Sequence, residues 1–93
     1  MQATVIYPDG DVDSVSLQDS EESRLRQLQE LVGGYIEAVS LPGKRYMVIN
    51  ENGKDVPHMI NNTATAFAHE AQAIMPSDYI AGVAVILPGE VLQ

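Results

Sequence analysis

The segment from Tyr79 to Leu87 is a nearly unbroken apolar run of nine residues, bracketed by Pro76 and by Pro88-Gly89. A membrane helix needs about 20 such residues, so this run does not read as one. Between turn signals it reads as a strand, either buried on both faces or lying in an oligomer interface.

The rest of the chain alternates strand and helix signals around that run. Thr4 to Tyr7 reads as a short strand. Pro8-Asp9-Gly10 is a turn: Pro fixes φ, Asp bonds its own backbone, and Gly takes positive φ. Val12, Ser14 and Ser16 alternate with Asp13, Val15 and Leu17, which suits a second, half-wet strand paired with the first. Asp19-Ser20-Glu21-Glu22 opens a helix, with Asp19 and Glu22 spaced as a capping box. Leu25, Leu28 and Val32 (or Leu31) give it an apolar stripe, and Gly33-Gly34 closes it. Tyr35 to Leu41 and Arg45 to Asn50 are strands joined at Pro42-Gly43 and expected to pair antiparallel. Asn52-Gly53 marks the turn that follows. A second helix is expected from about Asn61-Asn62-Thr63 to Pro76, with Ala64, Phe67, Ala71 and Ile74 as its buried face. The order is ββαββαβ, an α+β fold with two helices on a mainly antiparallel sheet. Residues 1–93 read as a single domain, since a chain of this size buries roughly two-thirds of its unfolded surface.

Composition bounds the function. Thirteen acidic residues face five basic ones, a net charge of −8. Direct nucleic-acid or anionic-membrane binding needs a basic footprint that is missing. The charge is unevenly placed. Residues 1–23 hold six acids and no base, whereas the remainder has seven acids against five bases. The chain has no Cys, which excludes thiol nucleophiles, disulfides and thiolate metal sites. Met1 to Pro8 lacks the basic segment and long apolar run of a signal peptide, so the reading is cytoplasmic.

Motifs for chemistry are sparse. Asp9-Gly10-Asp11-Val12-Asp13 opens like a calcium loop, but Ser14 and Ser20 stand where Gly and Glu are required, so it reads as an acidic hairpin turn. His58 and His69 lack metal-pair spacing, and His69 falls on the polar side of its helix. No metal site and no cofactor is expected. Glu37, Glu51, Glu70 and Asp78 could act as acid and base only if they converge, so no catalytic residue is assigned. Two polar clusters stand out. Asn50-Glu51-Asn52-Gly53-Lys54 gathers amide, carboxylate and ammonium groups in one turn. Asn61-Asn62-Thr63-Ala64-Thr65 places amides and hydroxyls at a helix start, where free N–H groups attract anions. Ordinary turn and cap roles compete with both readings.

Four segments in order carry a resemblance: Leu28-Gln29-Glu30-Leu31-Val32-Gly33-Gly34-Tyr35-Ile36-Glu37, Val48 to Lys54, Asn61-x-x-Ala64-Thr65, and Ile80 to Ile86. Over about residues 25–87 the chain resembles a family of short phage and mobile-element proteins, a bacterial and viral domain of unknown function. The chain departs from the family's pattern in the segment between Lys54 and Ile60. The resemblance implies a phage or prophage origin and brings no established activity. Its positions here are Gly33, Gly34, Tyr35, Glu37, Asn50, Glu51, Gly53, Lys54, Asn61, Thr65 and Gly82.

The leading expectation is a non-catalytic, phage-type binding protein with a counter-defence role. It would act in the host cytoplasm as a homo-oligomer associating in part through Tyr79–Leu87. It would sequester a small-molecule ligand, nucleotide-like in character. Lys54, Arg45 and the Asn61–Thr65 helix start (Asn61, Thr63, Thr65) would hold anionic groups, and Tyr35 or Tyr46 would stack a ring. Glu37, Asn50 and Glu51 complete the ligand-binding set. One alternative is an acidic inhibitor or nucleic-acid mimic acting on a host protein. Another is a small enzyme of unknown reaction.

Overall fold

The computed structural model describes residues 1–55 and 59–88. Its elements are β1 (Gln2–Ile6), β2 (Val12–Ser16), α1 (Glu21–Val32), β3 (Ile36–Leu41), β4 (Arg45–Asn50), α2 (Asn62–Glu70) and β5 (Ala84–Leu87). This is the expected ββαββαβ order. The strands form one five-stranded sheet in the order β2-β1-β5-β4-β3, antiparallel throughout.

The last strand is thus the central one. β5 inserts between the two hairpins, pairing Val85 with Val5 of β1 and with Val48 of β4. Strand side chains alternate between faces, and each face takes one helix. On one side Val5, Val48, Val85 and Leu87 pack with Leu28 and Val32 of α1. On the other, Ile6, Met47 and Ala84 pack with Ala64 and Ala68 of α2, whose alanines let it lie close to the sheet. Truncating a fully buried side chain such as Leu87 to Ala costs about 2–5 kcal/mol, from lost transfer energy and the cavity left behind.

Four details depart from expectation. The helix α1 is capped one residue later, by Ser20, whose hydroxyl accepts from the Ser23 N–H at 3.1 Å. Ser is as good a cap as Asp, and with the cap moved Glu21 and Glu22 remain in the first turn at the positive dipole end.

The helix α2 stops at Glu70, well before Pro76. Gln72 takes a left-handed conformation with φ of 56°. The N–H groups of Gln72 and Ala73 bond the carbonyls of His69 and Ala68, at 3.0 and 2.9 Å, closing a Schellman motif without glycine. Ile74 therefore leaves the helix face for the connection that follows.

The strand expected over Tyr79–Leu87 begins only at Ala84. Gly82 is left-handed at φ of 81°, which breaks the extended run. Before it, Ala81 makes a single antiparallel bridge to Ile60.

Finally, Ala84, Val85 and Leu87 are buried within the chain, so β5 is closed to association between copies. Of the expected strand run, only Tyr79 is exposed.

Candidate functional site

The fold leaves a cleft of about 210 Å³ between the turn after β4 and the connection from α2 to β5. Its apolar part comes from Val39 of β3, Ile49 of β4, and Ile74, Ile80 and Ala81. Its polar rim carries Glu37, Glu51, Lys54, Asp55 and Asp78, with Tyr79 beside them. The rim thus carries four acidic residues and one lysine, and of the acids Asp78 and Glu37 are the ones whose charge acts on the Lys54 ammonium.

Lys54 reaches across this cleft. Its Nζ donates to Asp78 Oδ1 and lies 4.8 Å from the centre of the Tyr79 ring. The hydrogen bond to Asp78 raises the Lys54 pKa above its ordinary value, with the charges of Asp78, Tyr79 and Glu37 adding to it against a smaller desolvation cost. The same bond, together with the Tyr79 backbone N–H at 2.8 Å, lowers that of Asp78. A carboxylate and an aromatic face on one ammonium form a cation-binding arrangement, here filled by the protein's own side chain.

Local chemistry fixes both rims. The turn after β4 is held by Asn50, whose Oδ1 accepts the Asn52 N–H at 2.7 Å and whose carbonyl accepts the Gly53 N–H at 3.1 Å. Gly53 is buried against the Ala81 carbonyl, where an added Cβ would come within 3.1 Å of that oxygen. The opposite rim is anchored by Asn61 and Thr65. The Asn61 side chain caps α2 by accepting from Ala64 at 3.0 Å, and donates to the carbonyls of Ile6 and Gly82, each at 2.9 Å. Thr65 Oγ1 accepts the Ile80 N–H at 2.9 Å and donates to the Ile80 carbonyl at 3.3 Å. His69 Nε2 lies 2.8 Å from the Asp78 carbonyl, so that nitrogen carries a proton in this contact.

Of the residues read from sequence, Glu37, Asn50, Glu51 and Lys54 line this cleft together. Asn50 commits its side chain to α1 and to its own turn. Asn61 and Thr65 commit theirs to backbone groups of the fold, and Thr63 is exposed on α2. Arg45 sits elsewhere, with its guanidinium 5.7 Å from the Phe67 ring centre and its Nε donating to the Pro42 carbonyl at 3.3 Å. Tyr46 shares the strand face of Val48, toward α1 and away from the cleft. Tyr35 is exposed just after α1, and its carbonyl accepts the Glu51 N–H at 2.9 Å. Asp55, Tyr79 and Ile74 join the cleft without having been singled out as ligand-binding. Asp78 had appeared only among possible acids and bases. His58 lies outside the described residues. Among the described residues no group of three or more His, Asp or Glu is placed to hold a metal ion, and no helix is long and apolar enough to cross a membrane.

A family model described as a domain of unknown function, DUF3846, matches residues 1–90. The chain belongs to the DUF3846 family. No curated protein and no solved structure matches it. In this DUF3846 chain the Gly33-Gly34 pair has a direct structural use. Gly33 ends α1 with φ of 79°, its N–H bonding the Gln29 carbonyl at 2.8 Å. Gly34 leaves room for the Asn50 amide: a Cβ there would come within 2.8 Å of Asn50 Nδ2.

Proposed function

We propose that this DUF3846 protein is a non-catalytic binding module whose cleft takes a small cationic ligand. The observation that carries this reading is the acidic lining of the cleft, with Glu37, Glu51, Asp55 and Asp78 on its rim above an apolar floor and Lys54 held by Asp78 beside the Tyr79 ring. An incoming ammonium would replace Lys54 at the Asp78 carboxylate and the Tyr79 ring. The volume of about 210 Å³ falls below the roughly 300–1,000 Å³ of drug-sized sites, which favours a compact ligand. A nucleotide-like anion would meet four carboxylates and a lysine already paired, so the charge balance favours a cation over the anion expected from sequence. In the phage or mobile-element setting that the resemblance implies, sequestering such a ligand would serve a counter-defence role.

A thermal-shift screen of the full chain against linear diamines, amino-acid amides and mononucleotides tests the reading. Stabilisation by the amines and its loss in Asp78→Asn support it. Stabilisation by mononucleotides alone overturns it.

A second reading, an acidic surface for a basic host protein, is favoured by a different observation. The exposed acids Asp9, Asp11, Asp13, Asp19, Glu21 and Glu22 follow β2 from its leading turn to the start of α1. Association through them should weaken steeply with added salt, and a salt-independent complex would exclude it.

A further inference from the structure

The sheet has two edges, and they are built differently. The hydrogen bond from the Leu17 N–H to the Met1 carbonyl, at 2.8 Å, sets the alternation along β2, so Val12, Ser14 and Ser16 turn their backbone groups outward. The middle of these is already occupied: Asp13 Oδ1 accepts the Ser14 N–H at 2.8 Å. Acidic side chains flank this edge at both ends. Charge and a filled donor are the means by which an edge strand is kept from pairing.

The opposite edge, among the described residues, has no filled donor, and the residues flanking it, Gly34-Tyr35 and Pro42-Gly43, are uncharged. The bond from the Glu51 N–H to the Tyr35 carbonyl, at 2.9 Å, sets the alternation along β3, so Ile36, Ala38 and Ser40 point their backbone groups away from β4. Among the described residues nothing pairs with them. Ala38 and Ser40 are exposed, and the strand holds one charge, Glu37, over its six residues.

We propose that β3 is a self-pairing edge, and that two copies join β3 to β3 antiparallel about a two-fold axis through Ala38. This places Ala38 opposite Ala38 of the second copy, Ile36 opposite Ser40, and Glu37 opposite Val39. No like charges stand directly across from each other.

Two copies of a chain with net charge −8 repel, and the geometry answers this. β2 and β3 are opposite edges of the sheet. Joining at β3 sets the two acidic β2 edges nine strand spacings apart, roughly 43 Å along a continuous ten-stranded sheet. That is several Debye lengths at physiological salt. Association at β2 would bring the same acids together.

The two-fold axis runs perpendicular to the sheet, so both α2-side clefts open on one face of the dimer. Glu37 and Val39 line the cleft and also lie on the shared edge. Each cleft therefore has a residue of the second copy next to its rim. This inference does not depend on the identity of the cleft ligand.

Sedimentation equilibrium of the full chain tests it. The expected result is a concentration-dependent dimer of about twice the 10.1 kDa monomer mass. Ala38→Pro removes the outward N–H without touching the β3–β4 ladder, and Ala38→Lys adds an edge charge. By symmetry each substitution enters twice, so either variant should weaken association roughly tenfold or more. Ser14→Lys, on the other edge, should leave it unchanged. Amide exchange supplies a readout in the unmodified chain: the Ala38 N–H should gain protection as concentration rises. A chain that stays monomeric at millimolar concentration overturns the proposal. So does a dimer that Ser14→Lys breaks and both Ala38 variants leave intact, or a dimer in which the Ala38 N–H stays unprotected.

Discussion

The side-chain amide of Asn50 donates to the carbonyl of Val32, the last residue of α1, at 3.1 Å. One buried side chain thus ties the end of a helix to the end of a strand and shapes the turn that forms one rim of the cleft. Asn50→Ala leaves the Val32 carbonyl and the Asn52 N–H without their partner. The expected cost is about 1–3 kcal/mol in urea-induced unfolding. Asn50→Asp should also destabilise, because a carboxylate cannot donate to a carbonyl.

The same contact ranks the two adjacent glycines. Gly33 sits at positive φ in open space, so Gly33→Ala costs about 1–2 kcal/mol of backbone strain and no clash. Gly34→Ala drives a methyl to within 2.8 Å of Asn50 Nδ2, an atom already held by Val32. Overpacking of this kind costs roughly 1–3 kcal/mol, so Gly34→Ala should be the worse of the pair. Equal stabilities in chemical denaturation would contradict this use of Gly34.

Asn61 should be among the most sensitive polar positions in the chain. It caps α2 and donates to Ile6 of β1 and Gly82 before β5 while fully buried. Asn61→Ala loses the cap and leaves two carbonyls unpaired, for roughly 3 kcal/mol. Asn61→Asp keeps the cap acceptor but sets a charge against both carbonyls. Thermal melts of Asn61→Asp should therefore improve as the pH is lowered toward the carboxylate range and fall as it returns to neutral.

The Lys54–Asp78 pair gives a pH signature of its own. The folded pKa of Asp78 lies below its ordinary 3.8, so its contribution is present above that value and lost as pH falls through the lowered one. The folded pKa of Lys54 lies above its ordinary 10.5, so its contribution is present below that value and lost as pH rises through the raised one. Both partners are solvent-accessible, so the effect on global stability is small. The test is site-resolved: in an NMR titration Asp78→Asn should lower the Lys54 midpoint. An unchanged midpoint would mean the pair does not form in solution.

What could be read in the sequence was local. Pro8-Asp9-Gly10, the α1 stop at Gly33 and the Pro42-Gly43 hairpin act through backbone chemistry within a few residues, and each element they bound is present. What could not be read depends on distant partners. Gln72 ends α2 because two carbonyls of the preceding turn need donors, a role that sequence signals through glycine. Asn61 looks like an ordinary cap, and its bonds to Ile6 and Gly82 exist only once three segments meet. The strand β5 was visible as apolar, but its central place in the sheet, which closes it to oligomer contacts, is a matter of topology. In the cleft, Glu51 and Lys54 were readable as one polar cluster, and Glu37 entered through the resemblance. Asp78 and Tyr79 were not readable as part of that cluster, because the long α2–β5 connection places them across from Lys54.

The cleft reading is tested most directly by NMR titration of the full chain with a linear diamine, with a mononucleotide as the parallel probe. The diamine should shift Glu37, Glu51, Asp55, Asp78 and Tyr79 together and move the Lys54 ammonium resonance as it leaves Asp78. Shifts confined to the mononucleotide, or diamine shifts centred on Arg45 and Phe67 with Lys54 unmoved, would contradict it.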